Sequence, residues 1–465
     1  MRRTELVFAL VAAILIAFFA FADRIFPRAE VDEAPAGAGR FLSSGWYCPV
    51  PTGEGFNSQI ATTNLGEEPV RVRRWSIAGS QRSSYHAAEV APRRRSTVAV
   101  SDLGLPDAAA VVEVFGAQST TDSMTIADNA GLTASRCSVQ PSDRWYFSVA
   151  STARGLDTAL LVANPFAEEA VLRARVITSD RDFVPPLFTD VVIPPLSQTP
   201  ILLHEYVLLE ETENFGLDIR ATQGRVIVAR HTRVATRDGR RGMFSDIGIR
   251  EPSPRWFFAA GEVPAEGDEF AVITNPGERE SLVQFIIQTE TEQLSPPELA
   301  ELPIPGGRQV IVRLADFLPR GFIHGMTISS VNAVPIVAER LIYFGGAVRG
   351  ADSSFGSPAL GTRFVTSVGT PIGGVERLAI VNHSTSQAVI RIVLITADGE
   401  TVPPGLEAVQ VGAGRRATVD VTPFLGGGMA TAVIEALSGE IVVERIVSLG
   451  GSVNDFSTQA AQPLE

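Results

Sequence analysis

Trp145-Tyr146 opens a run of short strands, and Ala163-Asn164-Pro165 ends the first apolar strand after it. The same two marks stand at Trp46-Tyr47 with Thr63-Asn64-Leu65, at Trp256-Phe257 with Thr274-Asn275-Pro276, and at Arg363-Phe364 with Val381-Asn382-His383. Successive aromatic openings lie 99, 111 and 108 residues apart, and successive Asn turns 100, 111 and 107. Two markers keeping the same step imply four copies of one unit.

Within each copy the order repeats. A β-branched run follows the Asn turn, as in Val389-Ile390-Arg391-Ile392-Val393-Leu394-Ile395, and a Pro or Gly connection near residues 92–98, 305–311 and 413–419 leads to another strand. The last strand reads Ile227-Val228-Ala229-Arg230-His231, Ile336-Val337-Ala338-Glu339-Arg340 and Ile441-Val442-Val443-Glu444-Arg445, with the first copy divergent. Short Val- and Ile-rich strands separated by turn signals predict an all-β protein of four tandem β-sandwich, Ig-like repeats at 41–140, 141–252, 253–360 and 361–465, arranged as a rod or arc. An eight-bladed propeller is the rival, but the markers recur once per repeat and not twice. The links 128–144, 232–255 and 344–362 are candidates for an added edge strand.

The amino terminus bears on compartment. Arg2 and Arg3 precede seventeen apolar residues, Leu6 to Ala22, and then Asp23-Arg24. The run reads as a transmembrane signal anchor at 1–22 with its short tail inside, or as a signal peptide cut after the small-x-small Ala20-Phe21-Ala22. Residues 23–40 read as a stalk, and the remainder is expected outside the cytoplasmic membrane. There an even pair of cysteines, Cys48 and Cys137, reads as a disulfide closing the first copy, the alternative being two free thiols. Such a bond would stabilise by about 4–5 kcal/mol in the chain-entropy picture.

Composition excludes several activities. All 39 basic residues of the 465 are Arg, so no P-loop lysine, Schiff base or Ser-Lys dyad exists. A net charge of -13 disfavours nucleic acid, and the acidic excess is concentrated in the third and fourth copies. His86, His204, His231, His324 and His383 never fall at metal-ligand spacing, and no nucleophile elbow or zincin motif occurs. The reading is therefore non-enzymatic, with no cofactor.

Trp46-Tyr47-Cys48-Pro49, the Asn-Pro turns, the Glu-Arg strand ends and the Ser-rich links resemble domain of unknown function family 5719, found in exported actinobacterial proteins. The resemblance spans residues 41–465, with Phe364 where Trp is expected. It implies an envelope location and no established activity.

Trp46, Trp145 and Trp256 are core candidates, or alternatively platforms for stacking a sugar in an array of carbohydrate-binding modules. Alternation places Glu339 and Arg340, and Glu444 and Arg445, on opposite strand faces, so one charge of each pair shares a face with Val or Ile. Arg340 and Arg445 are expected to donate to carbonyls of the following link and so to fix successive copies. Glu262, Glu266, Asp268 and Glu269 could offer oxygens to calcium, or form a solvated loop. Arg71, Arg73, Arg74 and Arg93 to Arg95 could approach lipid or polymer phosphate. The expected role is a scaffold or interaction protein, anchored through residues 6–22 and contacting an envelope protein or polysaccharide.

Overall fold

The first repeat sets the pattern in a computed structural model that describes residues 43–116, 118–127, 130–207, 211–346, 349–449 and 455–464. Its strands are β1 (Ser44–Cys48), β2 (Phe56–Asn64), β3 (Val70–Ala78), β4 (Gln81–Arg82), β5 (His86–Val90), β6 (Arg94–Ala99), β7 (Ala109–Phe115), β8 (Ser119–Ala127) and β9 (Gly131–Arg136). One antiparallel sheet runs β1-β7-β3 and is extended from β3 by β4 and β5; the other runs β6-β2-β8-β9. The same two sheets recur from Arg144, Arg255 and Arg363, so the chain is all-β with sandwich-like repeats.

Side-chain period explains the difference between the sheets. In β3, Val70 and Val72 point inward while Arg71 and Arg73 face water, as expected of a sheet covered on one face. The strands equivalent to β8 do not alternate. Val337–Phe344 is buried at every position, and Ile441–Leu449 at all but one, because a neighbouring repeat covers the second face. Apolar runs without polar alternation, broken by the adjacent Glu and Arg, are the trace of that double burial.

The strand order is not that of an immunoglobulin domain. β2 pairs with β6, and β3 with β7, as in that fold, but β8 joins β2 rather than β7, and β1 joins β7. After β9 the chain returns to its own repeat, where Ser138 bridges Tyr47; the same bridge is Ile249 to Tyr146 and Ser357 to Phe257. In the fourth repeat it becomes a short strand, Gln462–Pro463, on Arg363–Val368.

The expected rod or arc is replaced by a ring. β9 packs on Arg241–Ile247, that strand on Gly350–Phe355, that on Asp455–Ala460, and the last returns to β9. Backbones come so close at the axis that only glycine fits at three of the four starts. A Cβ on Gly242 would stand 2.3 Å from the Ala351 nitrogen, and one on Gly131 would strike the Asp455 carboxylate. All three glycines, Gly131, Gly242 and Gly350, also hold positive φ. At the seam between last and first repeats, Thr63 and Thr431 hydroxyls lie 2.7 Å apart, and Leu65 packs among Val365, Val393, Ile395 and Val433. Residues 43–465 accordingly form one compact unit. Closure about an axis, the property of the rival propeller, is present, but the repeating unit has two sheets rather than one blade.

Cys48 and Cys137 are disulfide-bonded, joining β1 of one sheet to the end of β9 in the other. The readings of residues 6–22 as an anchor or signal peptide, and of 23–40 as a stalk, lie outside the described residues.

Candidate functional site

The Glu-Arg strands meet at the contacts between repeats. Pairing with the strands that carry the Asn turns aligns Asp122, Ala229, Glu339 and Glu444 at one position, and Ser123, Arg230, Arg340 and Arg445 at the next. Glu339 and Glu444 each reach the edge of the preceding repeat. Glu339 accepts the backbone N–H groups of Ser148 (2.6 Å) and Val149 (3.1 Å) and pairs with Arg230, all in the second repeat. Glu444 likewise accepts Ala259 (2.9 Å) and Ala260 (2.5 Å) and pairs with Arg340 at 2.9 Å. Arg340 also donates to the Ser354 and Thr458 hydroxyls. These groups are fully buried, so each charge needs its partner.

The expectation that Arg340 and Arg445 bond to link carbonyls is thus corrected. Arg340 finds a carboxylate of the next repeat. Arg445 grips Glu376 of its own repeat with two hydrogen bonds, at 2.9 and 2.7 Å, and adds the Gly369 carbonyl. The carbonyl-binding role falls to a position that carries no sequence motif: Arg95, Gln198, Gln309 and Arg416, aligned opposite the strand that ends in Asn. Gln198 bonds the Val50 carbonyl, Gln309 the Ser148 carbonyl and Arg416 the Ala259 carbonyl, each in the preceding repeat. Arg95 reaches across the seam to Ser367, Thr431 and the Ala430 carbonyl. Burial lowers the Arg416 pKa to about 10, more than the nearby Glu290, Glu444 and Glu262 carboxylates restore.

The remaining sequence candidates separate. Trp46, Trp145 and Trp256 are 3%, 1% and 0% exposed, and the Trp145 and Trp256 indoles donate to the Val226 and Ile336 carbonyls, leaving no free face for a sugar. Phe364 is buried in the fourth core. Asn64, Asn164, Asn275 and Asn382 each donate to a backbone carbonyl four residues on, and each accepts the amide two residues on. They are turn clamps.

The acidic quartet disperses. Glu269 is buried against His324 at 2.9 Å, Asp268 is held by Arg313 and Arg320, and Glu262 and Glu266 face a separate cavity. No group of acidic, His or Cys residues among the described residues could hold a metal. The six first-repeat arginines disperse too: Arg74 and Arg95 are buried, while Arg93 pairs with Glu67 and Glu400.

One cavity is shared by all four repeats. At the end of the axis toward which the four inner strands run, their outgoing links enclose about 870 Å³. Its wall takes Arg136 and Gln140 from the first link, Arg250 and Glu251 from the second, Ser357 from the third and Gln462 from the carboxyl end. Arg250 donates to Gln140 across the rim. The lining is polar and apolar in about equal parts, with charges of both signs among Trp145, Tyr146, Ile249 and Trp256, the mixed surface of a binding cleft.

Four two-sheet repeats closed around an axial cavity define the class: a single-chain β-sandwich ring. The chain matches the family of unknown function DUF5719 over residues 106–340 and 227–463, and it belongs to that family. No curated protein matches it. Among solved structures, the Thermotoga maritima protein 1070 is 18% identical, with 23% of this chain and 95% of that one covered at a TM-score of 0.21. The Anabaena sensory rhodopsin transducer is 26% identical, with 20% and 90% covered at a TM-score of 0.17.

Proposed function

We propose that the protein is a non-enzymatic scaffold of the cell envelope. Residues 6–22 hold the ring outside the cytoplasmic membrane, or release it if the chain is cut after Ala22. The axial cavity receives a protein or polysaccharide partner. The observation that carries this reading is closure: only a ring brings the four links together, and it does so at a surface belonging to no single repeat. The Cys48–Cys137 bond supports export, because cytosolic thiols are kept reduced. Glu339 and Glu444, the buried acids at the contacts between repeats, are taken up by ion pairs and backbone amides.

Thiol alkylation and external protease on intact cells test the placement. Both cysteines should resist alkylation until reduced, and the ring should be reachable from outside; freely alkylated thiols would overturn it. A photo-crosslinker at Gln140 in the cavity should capture a partner that the same group at exposed His204 does not. Equal capture at both positions would remove the cavity from the account.

A further inference from the structure

The four repeats act as internal controls for one another, and one sheet face in the second repeat breaks their rule. On the outward face of the first sheet, three residues stand side by side on adjacent strands. In the fourth repeat they are Arg363, Glu435 and Arg391, a neutralised ladder in which Glu435 accepts from both arginines at 3.3 and 3.1 Å. In the first repeat they are Gly45, Glu113 and Arg73, with Glu113 again central and 3.8 Å from Arg73. In the third they are Arg255, Ser329 and Gln284. In the second they are Arg144, Arg220 and Arg173: the central carboxylate has become a third guanidinium.

Like charges directly opposite across strands are destabilising, so the row is held by a compensation one step along. There Tyr146, Asp218 and Arg175 form the next row. Asp218 is buried and accepts Arg144, Arg175 and Arg220 at 3.4, 3.1 and 3.3 Å. Asp182 takes Arg175 and Arg308. Four guanidiniums therefore share two carboxylates, and a fifth, the exposed Arg173, has no ion pair among the described residues. The row borders a 240 Å³ hollow lined by Arg173, Arg175 and Arg220 and, past Tyr146, a 530 Å³ groove whose Glu278 and Arg279 offset each other. The surplus is positive on a chain of net charge -13.

We propose that this face of the second repeat binds phosphate groups, with Arg144, Arg220 and Arg173 as the recognition row and Asp218 as the positioning residue that holds the guanidiniums. Planar forked donors suit tetrahedral oxyanions, and strands about 4.8 Å apart let neighbouring guanidiniums share one phosphate or meet successive ones. The site is separate from the axial cavity's partner surface except at Arg144, Tyr146 and Pro252, which border both.

The test uses the full chain and three probes: inorganic phosphate, inorganic polyphosphate, and phosphatidylcholine vesicles with and without phosphatidylglycerol. Arg220→Glu rebuilds the Arg-Glu-Arg ladder of the fourth repeat, so its melting temperature should be unchanged or higher while binding falls about tenfold or more. Arg173→Gln, which breaks no ion pair, should weaken binding in the same direction. Binding by phosphate alone assigns a small ligand, by polyphosphate alone a polymer, and by the phosphatidylglycerol vesicles alone a lipid headgroup. Equal binding by wild type and Arg220→Glu, or no binding of any probe by the wild type, would overturn the proposal. Either failure leaves the crosslinking result at Gln140 standing or falling by itself.

Discussion

At the scale of single residues, one site shows how the repeats diverge without losing packing. Cys48 and Cys137 align with Phe147 and Gly248 in the second repeat and with Phe258 and Gly356 in the third. Where the first copy has a cystine, the second and third lay a phenyl ring over a glycine, with an added Cβ meeting the ring at 2.7 and 2.9 Å. The first copy also has the smallest set of large core side chains, so its covalent bond stands in for packing. Replacing both Cys48 and Cys137 by Ser should lower unfolding free energy by about 4 kcal/mol in denaturant titration, with no change in ligand behaviour at the second repeat. The Asn clamps give a second outcome. Asn275→Ala leaves the Ile304 and Arg279 carbonyls and the Gly277 amide without partners and should cost about 2–3 kcal/mol by thermal or urea melts. The Asn positions were legible because a turn needs an Asx side chain there. Their three-bond clamp was not, because its acceptors lie as far as 29 residues on.

At the scale of elements, the β8-type strands carry the lesson of the junctions. Adjacent Glu and Arg in an apolar run were visible in the sequence, and alternation required that one of them face a core. Which partner each would take was hidden, since it belongs to another repeat. The junction between first and second repeats supports the coupling: there both members are gone, as Ser123 and Ala229, so no lone buried charge remains. Pro49 occupies the place of Ser148 and has no N–H, and the Gln198 amide satisfies both polar groups of Val50. Glu444→Ala and Arg340→Ser should each cost about 3–5 kcal/mol, whereas the double variant should cost clearly less than their sum in a double-mutant cycle. Strict additivity would show that the pair is not a unit. The register position of Gln198, Gln309 and Arg416 offered no signal, because Gln and Arg on a half-exposed strand look like ordinary surface residues.

At the scale of the whole molecule, repetition was readable and closure was not. Four copies with constant markers are compatible with a rod, an arc or a ring. The decision rests on contacts between copies, and the glycines that permit them, Gly131, Gly242 and Gly350, resemble any turn glycine. Closure also sets pH dependence. Burial raises Asp246 and Asp352 to about 6, and Asp455 well above its ordinary value. For an acid whose folded pKa is raised, the folded state binds more protons than the unfolded chain between about pH 4 and 6, so stability falls across that window as pH rises and is flat above it. His231 and His383, lowered to about 4 by burial, act in the opposite sense over the same range. The useful quantity is therefore a difference. Asp352→Asn should flatten the decline between pH 4 and 6 relative to wild type, read as melting temperature against pH; parallel profiles would exclude Asp352 as a source.

Asp455 also has a consequence for how the chain comes to be made. It occupies the axial place held by glycine in the other three copies, and it accepts the Leu132 amide of the first. The keystone thus leaves the ribosome after the other three inner strands, while the surface awaiting it was made 323 residues earlier. Until the fourth repeat is made, Arg95 and Asp122 face an unfilled gap, and that half-built arch is open to closing on a neighbour's fourth repeat instead of its own.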